Sequence, residues 1–163
     1  MEQLKSILSD GGVKLTLHVK TFDALTVSEL YALLQVRSDV FVVEQNCVYQ
    51  DLDDDDQTAL HLWLTSDDGR ILALARVCAA GTHMKEVSIG RVIATERGKG
   101  YGLLIVKAAR DAATDILGAS IIEIESQEYT RHFYEKVGFV QTSDVFLLDG
   151  IPHIKMTYVD VSR

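Results

Sequence analysis

The sequence predicts an α/β domain built on a mixed sheet of about seven strands. Two hydrophobic periods alternate along the chain, one of two residues and one near 3.6. The elements they mark run βα, then βββ, then αβα, then ββ. The third observation is size: 163 residues, 47% of them apolar, suit one domain with a full core spanning 1–163.

Residues 13–20 (VKLTLHVK) alternate apolar and polar, as a half-buried strand does. Thr26 to Glu29 has capping-box spacing, and Leu30, Leu33, Leu34 and Phe41 then recur at helical spacing to about Gln45. An acidic loop, 50–57, follows. Residues 60–65 and 70–80 read as two strands joined by Ser66-Asp67-Asp68-Gly69, and 84–94 as a third. A helix is expected from about Tyr101 to Leu117, closed by Gly118. Residues 120–126 (SIIEIES) read as a strand and 128–137 as a short helix stopped by Gly138. Two closing strands flank the Asp149-Gly150 turn.

The net charge of -8 and a pI near 5.0 disfavour a nucleic-acid partner, which needs a surplus of Lys and Arg on some face. Cys47 and Cys78 stand 31 positions apart without a C-x-x-C and read as reduced thiols. No basic-then-apolar leader and no apolar run of about 18 residues is visible, so the expectation is a cytoplasmic protein with no membrane span.

The densest chemical signal is "ERGKGYGLLIV", 96–106. Gly98, Gly100 and Gly102 sit just where a helix begins, with Arg97 and Lys99 among them. A helix N-terminus carries free N–H groups and partial positive charge, and glycines let an anion approach its backbone. The reading is a phosphate or pyrophosphate cradle. P-loop spacing is absent, and the third glycine comes one residue too early for a dinucleotide fingerprint. The plain alternative is a flexible strand-to-helix turn.

The R-x-x-G-x-G pattern of Arg97, Gly100 and Gly102 resembles the signature that opens the main helix of the GCN5-related N-acetyltransferases (GNAT). "HFYEKVGF", 132–139, resembles that family's second signature, about 30 residues on and after a strand. Gln127 stands seven residues before Tyr134, where many members have Asn. "RSDVFVVEQNCVYQDLDDDD", 37–56, "ALHL", 59–62, and "DGIPHI", 149–154, are similar to the ElaA subgroup. The resemblance implies a single GNAT-like domain, its sheet mostly antiparallel with helices on both faces. It also implies acetyl-CoA as co-substrate, a small-molecule or peptide amine as acceptor, and a possible homodimer.

On that resemblance the strand ending Arg91-Val92-Ile93-Ala94 parts from its neighbour. Freed N–H groups of Val92 and Ile93 then bind the pantetheine arm and polarise the thioester carbonyl. The backbone from Arg97 through Gly98, Lys99, Gly100 and Tyr101 to Gly102 holds the pyrophosphate, with Ala94 and Gln127 beside the cofactor. Tyr134 is expected to protonate the departing thiolate, a transfer uphill by little more than one pH unit at ordinary values. Taken alone, Tyr134 also fits a core aromatic with a satisfied hydroxyl. A base is needed because only about one lysine-like amine in 10³ is neutral at pH 7. Glu44, Glu86, Glu123, Glu125, His153 and a water chain all stay open. Arg37 and Glu44, seven apart on one helix face, either line the acceptor pocket or pair with other side chains.

Asp51, Asp53, Asp54, Asp55 and Asp56 do not make a calcium loop, since its sixth and twelfth positions hold Asp56 and Leu62. No His/Cys set has metal-ligand spacing, and His61 reads as a structural histidine. The aspartates read as a solvated loop or as carboxylates that draw a cationic amine. Cys47 reads as an idle thiol rather than a nucleophile. Two other readings share the fold: a non-catalytic acyl-CoA-binding sensor, and an interaction domain for a small ligand or a protein.

Overall fold

Period-two alternation becomes nine strands in a computed structural model that describes residues 2–10 and 12–162. The strands are β1 (Glu2–Asp10), β2 (Val13–Thr21), β3 (Leu60–Thr65), β4 (Ile71–Cys78), β5 (Val87–Ala94), β6 (Ile121–Gln127), β7 (Val140–Gln141), β8 (Phe146–Leu148) and β9 (Ile151–Val159). The helices are α1 (Val27–Arg37), α2 (Tyr101–Asp115) and α3 (Arg131–Glu135). The sheet order is β1-β2-β3-β4-β5-β6-β9-β7, and β8 also pairs with β9. Every pairing is antiparallel except β5 with β6.

Two strands exceed the expected seven. β1 extends the sheet beyond β2, and the stretch expected as one strand after Phe139 breaks into β7 and β8. The helix expected to run to about Gln45 is regular only to Arg37. It then widens over Ser38–Glu44, where Gln45 N donates to Val40 O and Cys47 N to Val42 O, five residues back.

Helices cover both faces. On one, Ile105, Val106, Ala109 and Ala113 of α2 meet Leu60, Leu62, Leu64 and Leu72 of β3 and β4. On the other, Leu33 of α1 packs with Trp63, Leu74 and Ile93. Strand alternation produces this division: Leu62 and Trp63 are neighbours in sequence and face opposite layers. The capping box starts α1, with Glu29 N donating to Thr26 Oγ1 at 3.1 Å and Thr26 N to Glu29 Oε2 at 2.9 Å.

The acidic loop is not a solvated one. Arg37, Arg76, Asp51 and Asp56 are all buried, and they join with Asp53 and Arg91 in one network. Arg37 donates to Asp51 Oδ2 (2.9 Å) and to Asp56 Oδ1 and Oδ2 (2.7 and 3.1 Å). Arg76 donates to Asp53 Oδ1 (2.6 Å) and Asp56 Oδ1 (3.0 Å). Arg91 Nε lies 2.8 Å from Asp51 Oδ1, and its Nη2 donates to Asp51 O at 2.9 Å. Two positive and two negative groups leave water together, and Arg91 and Asp53 join them half-buried. Tyr49 Oη also donates to Asp51 Oδ1 at 2.8 Å, and burial raises that phenol's pKa. His61 is buried as well; its Nε2 donates to Asp56 O at 2.8 Å, and burial lowers its pKa, so it stays neutral.

Burial on its own raises the carboxyl pKa of Asp53 and Asp56, but hydrogen bonds and charge from Arg76 and Arg37 outweigh it and hold both below the ordinary range. A depressed folded pKa gives stability that is present above the unfolded value and lost as pH falls through the folded one. The protein is therefore expected to lose stability as pH drops below about 4. Asp56→Asn takes one carboxylate from two buried guanidiniums, leaving Arg37 only Asp51 and Arg76 only Asp53, and is expected to cost about 3 kcal/mol in urea unfolding at pH 7. It should also flatten the acid dependence; a cost under about 1 kcal/mol contradicts a buried network.

Candidate functional site

The site begins where β5 leaves β6. Their parallel pairing covers only Val87–Ile122 and Ser88–Glu123. Beyond it β6 continues on β9 while β5 continues on β4, so the two strands part. The expected splay is present at the expected strand.

A bulge sits at the same place. In the β4–β5 register Arg76 faces Gly90 and Leu74 faces Ile93, so Arg91 and Val92 together oppose Ala75. Arg91 takes a left-handed φ of 53°. For a non-glycine residue this costs about 1 kcal/mol. Thr95 N donates to Leu72 O at 2.9 Å. Antiparallel alternation then turns the Ile93 amide onto β4 and the Val92 and Ala94 amides toward the parted edge. Of the two freed amides expected, Val92 keeps that direction; Ile93 faces the sheet, and its side chain is buried against α1's layer.

The parted strands open a cleft of about 480 Å³. Val92, Glu125, Gln127, Tyr134 and His153 line it, so five of the expected residues come together from β5, β6, α3 and β9. The wide helical segment and the loop after it add Phe41, Gln45, Cys47 and Tyr49. Glu44 is exposed and Arg37 is buried in the ion network; neither lines the cleft. For Arg37 the pairing role that its spacing left open is the one found. Glu86 and Glu123 are also outside the lining.

Tyr134 sits edge-on to Phe133, with ring centroids 5.0 Å apart, and packs against the main core. Burial, with a smaller contribution from Tyr129, pushes its phenol up to about 12. Among the described residues its hydroxyl has no hydrogen-bond partner. His153 Nδ1 lies 2.7 Å from Ile151 O. A carbonyl only accepts, so Nδ1 carries a proton and Nε2 is the nitrogen left for the cleft.

The glycine run lies just past the end of β5. Gly98 and Gly100 both take left-handed φ (74° and 80°), and Gly100 is the N-cap of α2 without a side-chain cap. Arg97, Lys99 and both glycines are exposed. The first amides of α2 therefore face outward with no acidic residue in the first turn. Gly102 marks a close approach: a Cβ there would lie 3.4 Å from Phe133 Cζ and 3.6 Å from Ala94 Cβ. Tyr101 packs against the core and anchors the turn. An exposed row of amides with two basic side chains fits a pyrophosphate.

Asp53, Asp55 and His83 each bring one ligand atom within 4.8 Å of the others. Arg76 and Arg91 already hold Asp53, and His83 Nδ1 pairs with Asp55 Oδ2 at 3.0 Å. Cys78 is buried in the cleft wall, and burial raises its thiol pKa. Among the described residues no helix is long and apolar enough to cross a membrane.

Comparisons with known proteins agree with this geometry. The family described as acetyltransferase (GNAT) domain matches residues 28–159. Protein ElaA of Escherichia coli is 40% identical over 136 residues, covering 81% of this chain and 88% of that protein. The crystal structure of an acyl-CoA N-acyltransferase from Pseudomonas aeruginosa superposes with a TM-score of 0.82 at 38% identity, covering 89% of this chain and 99% of that one. The Escherichia coli ElaA structure superposes at 0.81 and 36%, covering 88% and 99%. With a family match over most of its length and relatives this similar, the chain belongs to the GNAT acetyltransferase-domain family.

Proposed function

We propose that the protein transfers an acetyl group from acetyl-CoA to an amine, borne by a small molecule or a peptide, by direct attack. The observation that carries the reading is the alignment of three features. The parted β5 edge aims amides into a cleft, the glycine-rich start of α2 lies just beyond that edge, and Tyr134 lines the same cleft.

In this reading the outward amides from Gly98 to Gly102, with Arg97 and Lys99, hold the pyrophosphate. The Val92 amide donates to the thioester carbonyl and stabilises negative charge as it develops on that oxygen. Ala94 and Gln127 flank the pantetheine arm, Gln127 with both a donor and an acceptor. His153 Nε2 and the Glu125 carboxylate are among the cleft groups able to take the amine's proton. The amine nitrogen bonds to the acyl carbon, the C–S bond breaks, and sulfur leaves with the electron pair and receives the Tyr134 proton.

Burial widens the gap that ordinary values suggest for this last step. A phenol near 12 stands well above a thiol near 8.5, so the proton moves only as charge builds on sulfur. The same burial keeps Tyr134 protonated across the physiological range.

Isothermal titration is expected to give micromolar binding of acetyl-CoA, lost in an Arg97→Glu, Gly100→Glu variant. No binding to the wild type sinks the reading. Against an amine panel, Tyr134→Phe should lower turnover by about a hundredfold or more while leaving acetyl-CoA affinity in place. The loss should be equal at pH 7 and 9, because the phenol does not ionise between them. Binding without turnover on any amine would instead favour an acyl-CoA sensor.

A further inference from the structure

We infer that Arg91 is a positioning residue: the carboxylates of the 50–57 loop grip its side chain to hold the β5 bulge, and so aim the Val92 amide at the acyl carbonyl. The inference rests on the proposed acyltransferase reading. Four observations carry it.

Left-handed backbone at a bulge ordinarily falls to glycine. Gly90 is adjacent, yet its φ is not left-handed; Arg91 takes that conformation instead. The residue that bears the cost is also one whose side chain the aspartate loop holds. Its Nε lies 2.8 Å from Asp51 Oδ1, and its Nη2 lies 2.9 Å from Asp51 O and 3.3 Å from Asp53 Oδ2. Its Cζ stands 5.9 Å from the centre of the Tyr49 ring.

The grip is itself anchored. Arg37 of α1 donates to Asp51 Oδ2 and Asp51 O, and Arg76 of β4 donates to Asp53. The loop thus reaches Arg91 from elements independent of β5. A bulge that relaxes slips the register on one side by a residue, and such a slip exchanges cleft-facing amides for sheet-facing ones. Val92 is the next residue in the chain, so its amide is the first to be misdirected.

Two substitutions separate the backbone from the ion network. Arg91→Ala and Arg91→Gly break the same ion pairs, so they should lower the melting temperature alike. Only glycine adopts the left-handed φ without strain. The readout is the Val92 amide proton in ¹⁵N-labelled protein, titrated with acetyl-CoA and separately with CoA, alongside calorimetric affinities. In the wild type, acetyl-CoA is expected to shift this proton beyond what CoA does. Arg91→Ala should bind acetyl-CoA within about threefold of wild type but lose that extra shift, and Arg91→Gly should recover most of it. A full shift in Arg91→Ala, or none in Arg91→Gly, overturns the inference while leaving the acyltransferase reading intact. Failure of the wild type to bind acetyl-CoA removes that reading and this inference with it.

Discussion

Two guanidiniums and two carboxylates withdrawn from water, with Arg91 and Asp53 half-buried beside them, set the frame on which the cleft is built. Arg37 and Arg76 are each 2% exposed, and a charge so placed is tolerable only when paired and hydrogen-bonded. The aspartates that pair with them come from a single loop, and the arginines come from α1, β4 and β5. The pairing therefore ties one wall of the cleft to the strand that parts on its floor. It also takes up three of the loop's five carboxylates. Asp51, Asp53 and Asp56 are neutralised by arginines, and Asp55 faces His83. What negative character the cleft presents to an amine comes from Glu125 and Asp149 on its far side.

Parting of β5 from β6 is the second constraint, and it follows from where each strand finds its partner. β9 holds β6 from Ile121 to Gln127, and β4 holds β5 to Ala94, so neither strand loses its backbone pairing on the outer side. The unpaired inner amides are left for a ligand as fixed dipoles at the cleft's edge. Those dipoles need no reorganisation as charge develops, because the sheet already holds them. Burial lifts the Tyr134 phenol and keeps it protonated.

Much of this was legible in the sequence because it depended on local chemistry. Period-two alternation marks β2, apolar runs between turns mark β3 to β6, Thr26 and Glu29 start α1, and Gly98 and Gly100 announce an uncapped, anion-ready α2. Tyr134, Gln127 and Val92 were expected at the site only through the resemblance of their motifs to the family's, and all three line the cleft. The remainder is long-range. Nothing in "IGRVIA" says that Arg91 rather than Gly90 takes the left-handed turn, because the reason lies 38 to 40 residues away in Asp53 and Asp51. The aspartate run reads as solvated until Arg37, Arg76 and Arg91 are brought to it. Tyr49 and Phe41 enter the cleft because α1 widens after Arg37, which its apolar spacing does not signal. Ile93 and Val92 cannot be told apart without the register that Thr95 and Leu72 set.

The most direct test of the central claim is a crystal structure of the protein with acetyl-CoA. The account expects the pyrophosphate on the backbone amides of 97–102, the acyl carbonyl oxygen accepting from Val92 N, and the sulfur within hydrogen-bond reach of Tyr134 Oη. A pyrophosphate bound away from the α2 start, or an acyl group lying outside the β5–β6 cleft, would contradict it.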